Sequence, residues 1–179
     1  MTLASYISLL RIVLIIPIMY LTTEVSIQAN IFALFLFLVA VITDYLDGKI
    51  ARNTNTETSL GALLDLLADK LLVCLVLVWL IFVKQDLFLL IPVLIIISRE
   101  LIISSLRQYI VESLGKNKVK VSKVGKSKTG LQFIAISFLI ISPNFGYNFV
   151  ILSYLVTWLA AIMSIYSMIL YLKEWRDFY

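Results

Sequence analysis

Residues 41–73 read VITDYLDGKIARNTNTETSLGALLDLLADKLLV, and they place four carboxylates in one of the most apolar parts of the chain. The four are Asp44, Asp47, Asp65 and Asp69. An unpaired carboxylate in poorly solvated surroundings loses several kcal/mol of hydration free energy. A chain that carries four of them there must therefore offset their charge, and the way it does so decides both fold and function.

The composition of the chain is that of an integral membrane protein. Of its 179 residues, 61% are hydrophobic and 15% are charged, whereas a soluble domain is about half apolar and about a quarter charged. The length predicts a single transmembrane domain, one helical bundle over residues 1–179. There is no histidine and one cysteine. This excludes His-ligated zinc, thiolate clusters and histidine bases, and it leaves acid–base or metal chemistry to carboxylates.

Six apolar runs fit helices that cross a bilayer, which takes about 20 residues each. We predict spans at 6–22, 30–48, 61–83, 87–106, 129–142 and 147–172. The fifth run is short, so we expect its helix to begin in the preceding basic segment. The runs lack the alternation of a membrane β-barrel. The sequence therefore predicts an all-α integral membrane protein with six transmembrane helices.

The connections between these runs alternate in charge. The segments 49–59 and 107–128 are basic, and the second holds seven cations against Glu112 alone. The positive-inside rule places both in the cytoplasm, and an even number of spans then places both termini there. A cleavable signal peptide is a weaker alternative, because Arg11 lies inside the first apolar run instead of before it. We expect Arg11 to extend towards the lipid headgroups.

The spacing of the aspartates predicts that they converge. Asp44 and Asp47 are three residues apart and Asp65 and Asp69 are four apart, so each pair shares one face of a helix. Their two helices are joined by a short connection, which brings all four carboxylates to one depth. Such a set of oxygen ligands is typical of Mg²⁺ or Mn²⁺, and two ions about 4 Å apart serve phosphoryl-type displacement. Helix caps with surface charges, or the ion path of a transporter, remain alternatives.

The residues between the aspartates carry a resemblance to a known family. The string is Asp44-x-x-Asp47-Gly48-x-x-Ala51-Arg52, eight residues, then Gly61-x-x-x-Asp65-x-x-x-Asp69. It is similar at all eight fixed positions to the signature of the CDP-alcohol phosphatidyltransferase family. The resemblance implies the six-helix bundle of that family and a site for two divalent cations, Mg²⁺ or Mn²⁺, held by Asp44, Asp47, Asp65 and Asp69.

The same resemblance implies further roles for the motif. Asp69 would also act as the general base that takes the proton from the acceptor hydroxyl. The CDP-binding residues would be Asp47, Gly48, Ala51, Arg52 and Gly61. This agrees with their chemistry, since glycine lets a nucleotide approach the backbone closely and an arginine offers two parallel donors to phosphate.

Two further strings bear on the acceptor. SRELIISSLRQ, at 98–108, holds Arg99, Glu100 and Arg107, and KVSKVGKSKTGLQ, at 120–132, holds Lys126 and Lys128. Both are similar to bacterial members of the family that use sn-glycerol 3-phosphate. The resemblance implies that the acceptor phosphate binds Arg107, Lys126, Lys128 and Arg99, with Glu100 in support. A structural ion pair, and a basic patch for anionic lipids, are the alternatives.

The resemblance thus implies transfer of a phosphatidyl group from CDP-diacylglycerol to sn-glycerol 3-phosphate. It also implies a homodimer in the bacterial cytoplasmic membrane, with the active site on the cytoplasmic side and no nucleic-acid partner. Another acceptor (serine, inositol phosphate or a phospholipid) stays open. So does a divalent-cation transporter, although that would leave the glycines and the arginine of the motif without a purpose.

Overall fold

The computed structural model describes residues 3–24, 26–54, 59–114 and 123–176. These residues form α-helices and one 3₁₀ turn, Ser142–Asn144, and no strand. The helices are α1 (Leu3–Leu21), α2 (Ile27–Thr54), α3 (Ser59–Lys84), α4 (Leu87–Leu114), α5 (Lys123–Ile141) and α6 (Tyr147–Arg176). The all-α prediction is confirmed for this part of the chain, and α5 begins in the basic segment as expected.

Four helices of the described part are long and apolar enough to cross a membrane. Their candidate spans are Ile27–Asp44, Leu63–Lys84, Leu87–Ile110 and Tyr147–Lys173, and Ser5–Leu21 is a shorter apolar helix. Large apolar side chains point outward on the short and the long apolar helices alike. Ile16 of α1 is 69% exposed, Phe82 of α3 is 64% exposed and Leu155 of α6 is 62% exposed. A surface of this kind suits lipid and would be an aggregation hazard in water.

Two helices, α2 and α4, extend beyond the predicted spans. The second span was predicted to end at 48, but α2 continues to Thr54, and α4 continues to Leu114 instead of 106. Apolar runs report only the length that faces lipid, whereas a helix continues until its backbone is interrupted. Neither extension contains proline, and a single glycine such as Gly48 costs a helix only about 1 kcal/mol. The whole string from Asp44 to Arg52 therefore lies on one helix.

The helices pack as two groups, α1–α3 and α4–α6, which meet along both α2 and α3. In the described part, α1 contacts α2 and α3, and α6 contacts α4 and α5. Between the groups, α5 contacts α2 and α3, and α4 contacts α3. Packing between the two motif helices thus runs mainly through α1. Buried alanines, including Ala33, Ala40, Ala68 and Ala160, lie within the bundle. Their small side chains let helix backbones approach closely, as is common in membranes.

Polar contacts join the helices at the end of α3 away from the aspartates. The indole of Trp79 donates to the Met19 carbonyl at 2.7 Å, and the Lys84 ammonium donates to Ser142 Oγ at 2.7 Å. Lys84 follows Asp69 by fifteen residues, which is about 22 Å along a helix. The bundle therefore has one end fixed by isolated polar contacts and another that holds the clustered charges.

The core of the bundle can be tested at two phenylalanines of α2. Phe37 is fully buried and meets the Phe133 ring of α5 edge to face at 6.1 Å, whereas Phe35 is 57% exposed. Truncating a buried phenylalanine costs about 3–5 kcal/mol, which corresponds to roughly 10 °C in a chain of this size. We expect Phe37→Ala to lower the apparent Tm in detergent by that amount and Phe35→Ala to change it little. Equal shifts would contradict the described packing.

Candidate active site

An arginine of α1 joins the two halves of the aspartate motif. Arg11 Nη1 lies 2.6 Å from Asp44 Oδ1 on α2 and 3.4 Å from Asp65 Oδ1 on α3. The arginine side chain is fully buried, while those of Asp44 and Asp65 remain 30% and 45% exposed. The predicted convergence of carboxylates from the second and third helices is therefore seen for this pair, and a cation on a third helix holds it.

Arg11 was expected to extend towards the headgroups, and that expectation is wrong. The side chain turns into the bundle, where Arg11 is 1% exposed. Burying a guanidinium is tolerable when it pairs with carboxylates, and α1 packs against both helices that supply them. The same ion pairs compensate part of the negative charge of the motif.

Asp69 lies one turn beyond Asp65 on α3 and is half-buried. Its carboxylate is within electrostatic range of Asp44, Arg11, Glu100 and Lys70. On α3 it lies between Asp65, which contacts Arg11, and Lys70, which contacts Glu100, so it adjoins both the aspartates and a second cluster of charges around Glu100. A carboxylate there can interact with groups bound at either cluster.

Several motif residues lie on described helices, but their side chains are outside the described part. The backbone of α2 carries Asp47, Gly48, Ala51 and Arg52 in its last turns, and Gly61 is half-buried in the first turns of α3. The predicted ligand and CDP roles of these residues stay predictions.

The donor chemistry of the described aspartates fits a hard divalent cation. Asp44 and Asp65 face each other across Arg11, both keep accessible surface, and Asp69 interacts with Asp44. Carboxylate oxygens are the ligands that Mg²⁺ and Mn²⁺ prefer. Among the described side chains, no three carboxylates are close enough to form a metal site by themselves. A complete site would need Asp47 or a closer approach of Asp69.

Glu100 is the centre of the second cluster, which we call the Glu100 cluster. Its direct partners are Lys70 of α3, Arg99 of α4, and Lys128 and Gln132 of α5. Ser164 and Ser167 of α6 complete the cluster by accepting from Gln132 and Arg99. Lys128 contacts Oε1 directly, Gln132 Nε2 donates to Oε1 at 3.1 Å, and Lys70 Nζ lies 3.8 Å from Oε2.

Two residues of the Glu100 cluster also contact α6. Arg99 Nη1 lies 3.5 Å from Glu100 Oε1, and its Nη2 donates to Ser167 Oγ at 2.7 Å. Gln132 Nε2 reaches Ser164 Oγ at 3.1 Å. The structure thus brings together the predicted residues Arg99, Glu100 and Lys128. Within the described part, one carboxylate faces three cations, so the cluster has positive charge in excess.

Two predicted acceptor residues lie outside these contacts. Arg107 is exposed on α4, seven residues and about 10 Å along the helix from Glu100. Seven residues are close to two full turns, so Arg107 lies above Glu100 on nearly the same helix face. Lys126 is in the first turn of α5, and its side chain is outside the described part.

Two residues of the site, Lys70 and Gln132, were not predicted from the sequence, and Arg11 was predicted at the wrong place. A signal existed for the two cations, because a charged residue inside an apolar span is a functional hypothesis by default. Lys70 directly follows Asp69, and Arg11 interrupts the first apolar run. Gln132 had no comparable signal, since an amide at the start of a span is also a common interface residue.

Comparison with known proteins identifies the family. The model of the family described as CDP-alcohol phosphatidyltransferase matches residues 1–166. The chain belongs to the CDP-alcohol phosphatidyltransferase family. Members of the CDP-alcohol phosphatidyltransferase family generally depend on divalent cations, which agrees with the carboxylate donors at the aspartate motif.

Curated relatives within the CDP-alcohol phosphatidyltransferase family cover most of the chain. A Rickettsia bellii protein is 38% identical over 99% of this chain and 97% of its own length. An Escherichia coli K12 protein is 34% identical over 96% and 93%, and one from Wigglesworthia glossinidia brevipalpis is 36% identical over 85% and 83%. All three are named CDP-diacylglycerol–glycerol-3-phosphate 3-phosphatidyltransferase.

The Glu100 cluster predicts a large difference between two glutamates of α4. Glu100→Gln removes the only described carboxylate of the cluster and leaves buried cations uncompensated, which costs about 3–5 kcal/mol for a buried pair. Glu112→Gln changes an exposed side chain that accepts from Gln108 at 3.1 Å. We expect Glu100→Gln to lower the apparent Tm by roughly 10 °C and Glu112→Gln to leave it nearly unchanged. A small effect of Glu100→Gln would show that the cluster is solvated.

Proposed function

We propose that the chain is a phosphatidylglycerophosphate synthase. It transfers the phosphatidyl group of CDP-diacylglycerol to sn-glycerol 3-phosphate and yields phosphatidylglycerol phosphate and CMP. The names of relatives that cover nearly the whole chain support this reaction. The single structural observation that favours it is the place of Asp69 on α3, between Asp65, which contacts Arg11, and Lys70, which contacts Glu100.

The charge of the Glu100 cluster is opposite to that of an acceptor that carries a phosphate. The Glu100 cluster has an excess of two positive charges among its described side chains, and a phosphate monoester carries nearly two negative charges near neutral pH. Cations held in a poorly solvated site bind phosphate strongly because water competes little there. The excess favours an acceptor that carries a phosphate, and it argues against serine.

The acceptor phosphate is proposed to lie between the Glu100 cluster and Arg107. Lys128 and Arg99 are buried and already paired with Glu100, so they would supply a fixed positive potential. Arg107 is exposed on nearly the same face, and its long side chain would contact the phosphate directly. Lys126 lies two residues before Lys128 on α5, about 200° around the helix, so its side chain would approach the phosphate from another direction. Glu100 would hold the cations in place and prevent their mutual repulsion from opening the site.

The CDP part of the donor is proposed to bind along α2 and the start of α3. Asp47, Gly48, Ala51 and Arg52 follow Asp44 on one helix, and Gly61 opens the facing one. Small residues allow close approach of the nucleotide, and Arg52 would donate to a phosphate. Asp44, Asp47, Asp65 and Asp69 would hold two ions, Mg²⁺ or Mn²⁺, which neutralise the diphosphate and the charge that develops during transfer.

The reaction needs a group that accepts the hydroxyl proton, and it needs the acceptor hydroxyl placed next to that group. The 1-hydroxyl of the acceptor would transfer its proton to a carboxylate oxygen of Asp69, which later releases it to water. The acceptor oxygen forms a bond to the phosphorus that carries diacylglycerol. The bond from that phosphorus to the CMP oxygen breaks, and CMP leaves with the electron pair. Holding the acceptor phosphate in the Glu100 cluster orients the hydroxyl towards Asp69 and reduces the entropic part of the barrier.

We also propose a membrane location and a topology for the enzyme. We place it as one domain with six membrane helices in the bacterial cytoplasmic membrane, with both termini and the active site on the cytoplasmic side. The basic segments beside the aspartates support this orientation, and the apolar surface supports a multi-pass protein. A homodimer is proposed from the family resemblance alone.

Release of CMP by the purified protein tests the proposed acceptor. The assay contains CDP-diacylglycerol and Mg²⁺, and sn-glycerol 3-phosphate, serine or inositol phosphate is added in turn. We expect release with glycerol 3-phosphate and a KM for it that rises at least about tenfold in Arg107→Ala, as loss of a charged hydrogen bond implies. Lys173→Ala, an exposed cation at the end of α6, is the matched control. Release with another alcohol alone would contradict the proposal, and Mg²⁺ flux without release would favour the transporter.

The role of Asp69 can be tested by an isosteric change. Asp69→Asn cannot accept the hydroxyl proton, so we expect kcat to fall by about 10²–10⁴-fold. Asp86→Asn is the control, because Asp86 lies in the connection between α3 and α4, far from Asp69, and accepts from Tyr154 at 2.8 Å. Steady-state CMP release measures both variants. Activity of Asp69→Asn within a few-fold of the unmodified protein would exclude this residue as the base.

A further inference from the structure

Arg11 is a charged residue whose function neither the family motif nor the acceptor site explains. It lies on α1, outside the string from Asp44 to Asp69, and its side chain is fully buried. Its guanidinium nevertheless contacts a carboxylate from each motif helix. A cation at this position is costly to bury, so the contacts it makes must matter to the fold or to the site.

We propose that Arg11 is the built-in counter-charge of the aspartate site. It holds Asp44 and Asp65 together, and it keeps the bundle stable while no divalent cation neutralises them. The first half of this inference depends only on the described ion pairs. The second half rests on the proposed metal site.

A guanidinium suits this buried position better than an ammonium would. One nitrogen, Nη1, contacts oxygens on two different helices, at 2.6 Å and 3.4 Å. The planar guanidinium keeps further donors in a fixed orientation and is weakly hydrated, so it suits a buried site with several acceptors. A lysine at this position would keep the charge, but its compact ammonium is more strongly hydrated and would be less stable when buried.

The unequal exposure of the partners distinguishes a site from a closed structural pair. Arg11 has no exposed side-chain surface, whereas Asp44 and Asp65 keep 30% and 45%. The arginine therefore approaches the carboxylates from the interior of the bundle, and their other side stays accessible. A divalent cation can reach the same carboxylates from that accessible side.

Arg11 and a divalent cation would then compensate the same negative charge. Each makes the other less necessary, because two positive charges near one set of carboxylates repel each other. By thermodynamic linkage, Arg11 weakens the stabilisation by a bound divalent cation as much as the cation weakens the stabilisation by Arg11. A cation should therefore stabilise a protein that lacks Arg11 more than it stabilises the unmodified protein.

The first arm of the test measures coupling without metal. Apparent Tm is recorded in EDTA for the unmodified protein, Arg11→Met, Asp44→Asn and the double variant. We expect Arg11→Met to lose at least about 6 °C, as expected for a broken buried ion pair. The double variant should regain part of that loss, because it lacks the Asp44 carboxylate that Arg11 would otherwise neutralise. Lys173→Met, which removes an exposed cation, should shift little. Additive shifts would overturn the inference.

The second arm adds Mg²⁺ to the same proteins. We expect the difference in apparent Tm between Arg11→Met and the unmodified protein to shrink by at least half at saturating Mg²⁺. A purely structural role predicts an unchanged difference, which would overturn the counter-charge role. If Mg²⁺ stabilises neither protein, the proposed metal site fails, while the coupling in EDTA still decides whether Arg11 holds the carboxylates.

Arg11→Lys provides a milder variant in case Arg11→Met cannot be purified folded. It keeps the charge and loses the planar fork, so we expect values between those of Arg11→Met and the unmodified protein in EDTA. Its Mg²⁺ response should exceed that of the unmodified protein. If Arg11→Lys had the same apparent Tm as the unmodified protein both in EDTA and in Mg²⁺, the need for a guanidinium would be contradicted.

Discussion

The contact of Arg11 with Asp44 and Asp65 determines how a chain this apolar can contain a site this charged. Carboxylates inside a membrane bundle are destabilising unless another charge compensates them. Here the compensating cation comes from α1, which packs against both motif helices. The first helix is thereby part of the site, although it contributes no residue to the family motif.

The second constraint is that α3 carries charges of both clusters. Asp65 and Asp69 belong to the aspartate side, and Lys70, the next residue, reaches Glu100. Successive residues of a helix point about 100° apart, so one helix can serve two neighbouring sites. Asp69 therefore lies at the border between negative and positive groups. An acceptor with a phosphate at one end and a hydroxyl at the other fits this border.

Much of this arrangement could be predicted from the sequence. The spacing of the aspartates predicted that Asp44 and Asp65 converge. The family resemblance of two separate strings assigned Arg99, Glu100 and Lys128 to one acceptor site. Helix ends were less predictable, because polar residues such as those at 49–54 can continue a helix beyond lipid. The partners of Arg11 could not be predicted, since its choice between headgroups and carboxylates depends on how α1 packs.

Diffraction from crystals grown with Mn²⁺ and CDP tests the central claim most directly. Anomalous scattering from manganese locates the ions without reference to the protein atoms. We expect two peaks ligated by the aspartates of the motif, with the guanidinium of Arg11 on the opposite side of Asp44 and Asp65. Manganese bound elsewhere, or absent from these carboxylates while CDP is bound, would contradict it.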